Sequence, residues 1–155
     1  FARHAPVGMQ LHYLSAEAYP LARADLEKAL AIWPELAPLA WELADAYPPA
    51  VPGSHRLVLA GGRVRLTLLF GDAAACFASV YGSADGIVDA WFLDGFAPEK
   101  NPEIWSRHLF AEMARLSKSD ASFSTFTVAS IVRRGLQAVG FDVHKVPGFD
   151  PKWDI

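Results

Sequence analysis

The run Val88-Asp89-Ala90-Trp91-Phe92-Leu93 passes straight into Asp94-Gly95 and then Phe96-Ala97-Pro98-Glu99-Lys100-Asn101-Pro102. A short apolar stretch that stops on an acid, turns on Gly and Pro and then opens a helix leaves a chain few folds. Open α/β sheets place reactive groups in this way, because their ligands sit outside the carboxyl ends of the strands. Asn101-Pro102 supplies an N-cap followed by Pro at the first helical position. Phe96 and Pro98 can wall a flat pocket. If the strand is buried, Asp94 carries an unpartnered carboxylate at a cost. Either a hydrogen-bonding ligand or the N–H groups of its own turn would meet that cost.

The rest of the chain alternates in the same manner. Leu11 to Ser15 reads as a strand ending at Glu17, and Arg23 to Ile32 as a helix stopped by Pro34. Glu35 to Tyr47 reads as a second helix before the breaker run Pro48-Pro49-Ala50-Val51-Pro52-Gly53. His55 to Leu59 and Arg63 to Phe70 alternate about Gly61-Gly62, a β-hairpin signal. After Gly71-Asp72 a short helix reaches about Val80, and the Asp94 strand follows. A helix is predicted from about Pro102 to Leu116, a strand from Ser122 to Thr127 and a helix from Ala129 to Val139. Gly140 stands at its C′ position, and Phe141 to Val146 reads as a last strand. Strands alternating with helices predict an α/β, Rossmann-like, doubly wound and mostly parallel sheet in a single domain, 1–155. A nucleotide-type fold opens with a strand, a glycine-rich loop and a helix. Here the adjacent glycines lie in the hairpin, so the first βα unit is expected to be missing from the chain.

With 52% hydrophobic and 20% charged residues, the chain is globular rather than disordered. It has no apolar run approaching ~20 residues, so no membrane span is predicted. A single cysteine, Cys76, cannot form an internal disulfide, which fits a reducing compartment and a cytoplasmic location. A net charge of −3 argues against a generic nucleic-acid binder. Residues 1–100 hold 7 basic against 11 acidic side chains, and residues 101–155 hold 7 against 6. A local basic patch is therefore expected around Arg133, Arg134, Lys145 and Lys152.

Two further acids stand where strands end. Glu17 fits an acid that accepts hydrogen bonds from ribose hydroxyls, or equally an exposed loop acid. Asp72 fits a ligand-facing carboxylate or, as its Gly-Asp context favours, the N-cap of the following helix. The histidines are too scattered for a metal site, and no metal is predicted. Cys76 reads as core.

These segments resemble a known family. Leu11 to Leu21 is similar to its second-strand segment, and Val88 to Pro102 followed by Trp105 to its signature. Thr125-Phe126-Thr127 with Val132 to Phe141 is similar to its late strand–helix unit, and Lys145 to Phe149 completes the set. The family is the S-adenosylmethionine-dependent methyltransferase domain of the tRNA-modifying protein MnmC and its stand-alone relatives, and the likeness covers nearly the whole chain. It implies a class I methyltransferase fold, S-adenosyl-L-methionine as cofactor and tRNA as partner. The implied reaction methylates the amine of 5-aminomethyl-2-thiouridine at the wobble position.

By position, the resemblance gives Glu17 the cofactor's ribose hydroxyls and places Asp72 near its adenine. Asp94 would be the catalytic residue and, with Gly95, Phe96 and Pro98, would line the meeting point of methyl donor and amine. Lys100 and Asn101 join the substrate side, and Arg133, Arg134, Lys145 and Lys152 would touch tRNA phosphates. The family's glycine-rich cofactor loop is placed upstream of Phe1, so the domain is expected to be N-terminally incomplete. The family's basic run after Gly148-Phe149 is replaced by Asp150-Pro151-Lys152-Trp153-Asp154, and its Pro-Gly turn by Ser119-Asp120. An FAD-dependent oxidoreductase, fused or separate, is the implied partner in the preceding step. The alternatives are a non-catalytic tRNA- or protein-binding module of the same fold, and a methyltransferase acting on a different amine.

Overall fold

The computed structural model describes residues 1, 4–95, 100, 102–125, 127, 129–144 and 146, with the backbone alone for 102 and 103. They gather into two compact units, Phe1–Val80 and Tyr81–Ile155. Each holds a parallel strand pair with helices between strands, so the α/β class read from the sequence stands.

The first unit runs β1 (Leu11–Glu17), α1 (Arg23–Leu30), a 3₁₀ turn (Pro34–Leu36), α2 (Ala37–Ala46), β2 (Gly53–Leu59), β3 (Val64–Phe70) and α3 (Ala73–Ala78). Its sheet has the order β1-β3-β2, with β3 central, parallel to β1 and antiparallel to β2. The expected hairpin turns through Ala60–Gly62, where Gly61 and Gly62 take φ of 63° and 90°. Those values suit glycine, whereas Ala60 at φ 52° is held there, its N–H donating to Glu42 Oε1 at 2.8 Å. Strand alternation puts Leu57 and Leu59 of β2 on one face with Leu66, Leu68 and Phe70 of β3. Leu43 and Tyr47, one helical turn apart, pack onto that face as the unit's core. Each fully buried side chain there contributes roughly 1.5–3 kcal/mol.

The second unit runs β4 (Val88–Leu93), a 3₁₀ turn (Pro102–Trp105), α4 (Arg107–Leu116), β5 (Ser117–Thr125) and α5 (Ser130–Ala138). α4 buries Leu109, Phe110, Met113 and Leu116, and α5 buries Val132 and Leu136, both sets at helical spacing. Gly135 lets the two helices meet, because a Cβ there would lie 2.2 Å from Phe110 Cε2. α5 ends as expected, with Gly140 at φ 99° and the Phe141 N–H on Leu136 O at 3.1 Å.

Three expectations are corrected. The helix from Pro102 is broken: a 3₁₀ turn ends at Trp105 and Ser106 caps α4, its Oγ accepting from Leu109 N at 3.1 Å. β5 starts at Ser117 rather than Ser122, because Ser117 already pairs with Val88 of β4, although the polar stretch after it has no strand signal of its own. Its register jumps from Val88↔Ser117 to Ala90↔Ser122, which absorbs Lys118–Ala121, including the Ser119-Asp120 departure. No strand forms over 141–144 or at 146. Phe141 instead packs edge-on against Phe123 at 5.5 Å, so its apolar alternation reflects burial without a ladder. The described strands make two sheets, β1-β3-β2 and β4-β5.

Candidate functional site

In the first unit the parallel register brings two of the predicted acids to one sheet edge. Glu17 pairs with Phe70, and the Gly71 N–H donates to Glu17 O at 2.9 Å. That bond carries the β1–β3 ladder one residue past β3, so Asp72 begins the next segment beside the end of β1. The chain turns here at Gly71, φ 153°, where a Cβ would stand 3.2 Å from Cys76 Sγ. Asp72 is the N-cap of α3, as its context favoured, with Oδ1 accepting from Ala75 N at 2.9 Å. Both acids are exposed at the carboxyl edge.

Tyr47 joins them from the end of α2, its ring 6.1 Å from that of Phe70 and tilted by 51°. Burial raises the Tyr47 phenol above its ordinary 10.0, and the negative charge of Glu17 raises it further. The tyrosine is therefore a neutral hydroxyl at physiological pH. Sequence reasoning passed over Tyr47, and its only signal was an aromatic placed between an apolar helix face and Pro48-Pro49. Burial also raises the Cys76 thiol, with Asp72 adding to the effect, so the thiol stays protonated and is no nucleophile. It is half-buried, as a core residue at the sheet edge would be.

In the second unit β4 delivers Asp94 at its carboxyl end. Trp91 is buried and ties the strand down, its Nε1–H donating to Ser117 Oγ at 2.8 Å while that hydroxyl donates to Met113 O at 2.7 Å. Asp94 itself is exposed, so the expected desolvation cost does not arise: the strand's apolar run ends before the carboxylate. Leu93 pairs with Thr125, which places the end of β5 alongside. There the Thr127 N–H donates to Thr125 Oγ1 and the Ala129 N–H to Thr127 Oγ1, both at 3.2 Å. Gly95 follows Asp94 in close contact, a Cβ there falling 3.0 Å from Ile104 Cδ1.

Arg133 and Arg134 are adjacent and exposed on α5, whose buried face carries Val132 and Leu136. Lys100 is exposed. Phe96, Pro98, Asn101, Lys145 and Lys152 lie outside the described residues. No described helix is long and apolar enough to cross a membrane.

Two parallel strand pairs, each ending in an exposed carboxylate at its carboxyl edge, define an α/β fold suited to a nucleoside-bearing ligand. Residues 34–155 match the family model described as S-adenosyl-L-methionine-dependent methyltransferase, and the chain belongs to that family. It is 52% identical over all 155 residues to the Pseudomonas syringae pv. syringae protein named tRNA 5-methylaminomethyl-2-thiouridine biosynthesis bifunctional protein MnmC. The proteins of the same name from Chromobacterium violaceum and Pseudomonas aeruginosa are 54% and 55% identical over the same 155 residues. The chain spans 23% of the length of each of these relatives.

The family's cofactor is S-adenosyl-L-methionine, and the residues at the first unit's sheet edge suit it. An exposed carboxylate, Glu17, closes one strand, and a second polar residue, Asp72, follows its parallel neighbour. This is the placement that open sheets use for ribose hydroxyls and a base.

Proposed function

We propose that the chain is the methyltransferase domain of a tRNA-modifying enzyme. It would methylate the amine of 5-aminomethyl-2-thiouridine at the wobble position. One structural observation carries the site: the Glu17↔Phe70 register sets Glu17 and Asp72 side by side at the carboxyl edge of β1 and β3. The relatives' printed name, borne by proteins more than half identical over the full chain, supports the acceptor. The family match runs across both compact units, which supports taking residues 1–155 as one domain.

In this reading Glu17 accepts hydrogen bonds from the ribose hydroxyls, and Asp72 faces the adenine while Oδ1 holds the start of α3. When bound, S-adenosyl-L-methionine supplies an electrophilic methyl group on a sulfonium. Asp94 accepts an N–H from the substrate amine and turns its lone pair toward that methyl, since alignment supplies much of the acceleration in such transfers. Gly95 keeps the turn after Asp94 slim. Phe96 and Pro98 wall the pocket for a uracil that has left its stack. Lys100 and Asn101 border it, and Arg133, Arg134, Lys145 and Lys152 meet tRNA phosphates without reading sequence. The relatives are named bifunctional, which supports an FAD-dependent oxidoreductase as the partner that prepares the substrate amine. A tRNA substrate places the reaction in the cytoplasm.

The test is transfer of labelled methyl from S-adenosyl-L-methionine to tRNA carrying the unmethylated amine. Glu17→Gln is expected to raise KM for the cofactor with kcat largely kept. Asp94→Asn is expected to lower kcat about 10²-fold or more. Cofactor binding with no transfer to this tRNA would overturn the acceptor, and no cofactor binding would overturn the site.

A further inference from the structure

The first hundred residues are the acidic part of the chain, with 7 basic against 11 acidic side chains. Three of those seven, Arg56, Arg63 and Arg65, nevertheless line one open groove of about 390 Å³ in the first unit. The groove lies at the hairpin end of the sheet, opposite the edge that carries Glu17 and Asp72, and among the described residues none that lines it is acidic. Glu42, which reaches the same hairpin from α2, is engaged by the Ala60 N–H and is not among the lining residues.

The register explains the clustering. Val58 pairs with Arg65 and Arg56 with Thr67, so Arg56 and Arg65 are diagonal neighbours on one sheet face, with Cβ atoms about 7–8 Å apart or somewhat less. Arg63, at the end of the hairpin turn, lines the groove beside them. Its role is partly structural, since its Nη2 donates to Ala5 O at 2.9 Å and to Pro6 O at 3.2 Å. Neither Arg56 nor Arg65 makes a side-chain hydrogen bond or ion pair within the described residues. The neighbouring guanidinium groups of Arg56 and Arg65, with no acidic side chain among the described lining residues, form an arrangement that a bound anion relieves. Guanidinium forks match phosphate oxygens in pairs. The lip of the groove is Gly61-Gly62, where a Cβ would meet nothing within 4 Å, so a bulky chain can approach closely.

We propose that this groove binds phosphates of the RNA backbone. The inference rests on the tRNA reading above and adds to it a second contact surface, at the opposite end of the first unit's sheet from Glu17 and Asp72. β3 spans seven residues between the two edges, about 23 Å at the rise of an extended strand. A small anion in the groove would sit that far from the Glu17 and Asp72 edge and take no part in cofactor binding there. A polyanion reaches both places at once, and its backbone contacts set register and orientation without specifying bases.

The experiment measures binding of the whole chain to an anticodon stem–loop RNA by fluorescence anisotropy over a range of salt concentrations. It compares wild type with Arg56→Gln/Arg65→Gln, leaving Arg63 in place because it holds the Ala5–Pro6 segment. Circular dichroism and melting temperature check that the variant folds. Cofactor binding is measured alongside, and inorganic phosphate is titrated as a separate probe. The double variant is expected to bind RNA about 10-fold or more weakly, to keep its cofactor affinity, and to lose about two units from the log–log salt slope. Unchanged RNA affinity and slope in a folded variant would overturn the groove while leaving the tRNA reading intact. Wild-type chain that binds cofactor but no RNA would overturn the tRNA reading, and the groove with it. Phosphate binding that depends on Arg56 and Arg65 while RNA binding does not would show a free-anion site and overturn the RNA assignment.

Discussion

Replacing Gly135 by Ala sets two effects of opposite sign against each other. Gly135 lies inside α5, where Ala is the better helix former by about 1 kcal/mol. Yet the new methyl would fall 2.2 Å from Phe110 Cε2 and 2.5 Å from Cδ2. The Phe110 ring has little room to yield, since its residue is 1% exposed and its neighbours on α4, Met113 and Leu116, are fully buried. Overpacking of this kind costs about 1–3 kcal/mol, and so severe an overlap belongs at the upper end. Net destabilisation of about 2 kcal/mol is therefore expected, or a fall of roughly 4–8 °C in Tm for a chain of this size. Urea and thermal unfolding of Gly135→Ala, Phe110→Leu and the double variant measure it as a cycle. The smaller side chain at 110 is expected to remove most of the penalty, giving a favourable coupling of about 1 kcal/mol or more. A single variant that is more stable than wild type would refute the close approach of α4 and α5.

Two further outcomes concern the sheet edge. Asp72→Ala is expected to cost about 1 kcal/mol through loss of the α3 cap, while Asp72→Asn keeps the cap. Stability by urea unfolding and cofactor affinity by calorimetry separate the two roles, because only Asn should be stable with altered binding. Tyr47 has a raised folded-state pKa, so its contribution to stability is complete below pH 10.0 and is lost as pH rises through the folded value. Glu17→Gln removes the smaller of the two causes that raise it and is expected to move the phenolate absorbance midpoint back toward 10.0, read as a difference spectrum against Tyr47→Phe. An unmoved midpoint would refute the proximity of Tyr47 and Glu17.

Much of this architecture is written in local chemistry, which acts through neighbours a few residues apart. Alternation fixed β1 to its last residue, Glu17, and glycines marked the hairpin turn. Asp72 could be read as a cap because capping needs only the next three residues, and Gly140 could be read as a helix stop for the same reason. Ser106 was legible by that logic too, but the periodic apolar run around it carried the helix reading across the break.

What lies beyond a few residues was decided by tertiary structure. Ser117 joins the strand because Val88 of β4 pairs with it across a register shift, whereas Phe141 to His144 pair with no described strand. Tyr47 stands beside the Glu17 edge only because the end of α2 lays it on Phe70. Arg56 and Arg65 come to line one groove only when β2 and β3 align in a single register. The sequence by itself determined which segments alternate, which residues turn and cap them, and which acids end the strands. The fold decided which of those ends stand together, because a ladder's register joins residues tens of positions apart, and no local propensity encodes that distance.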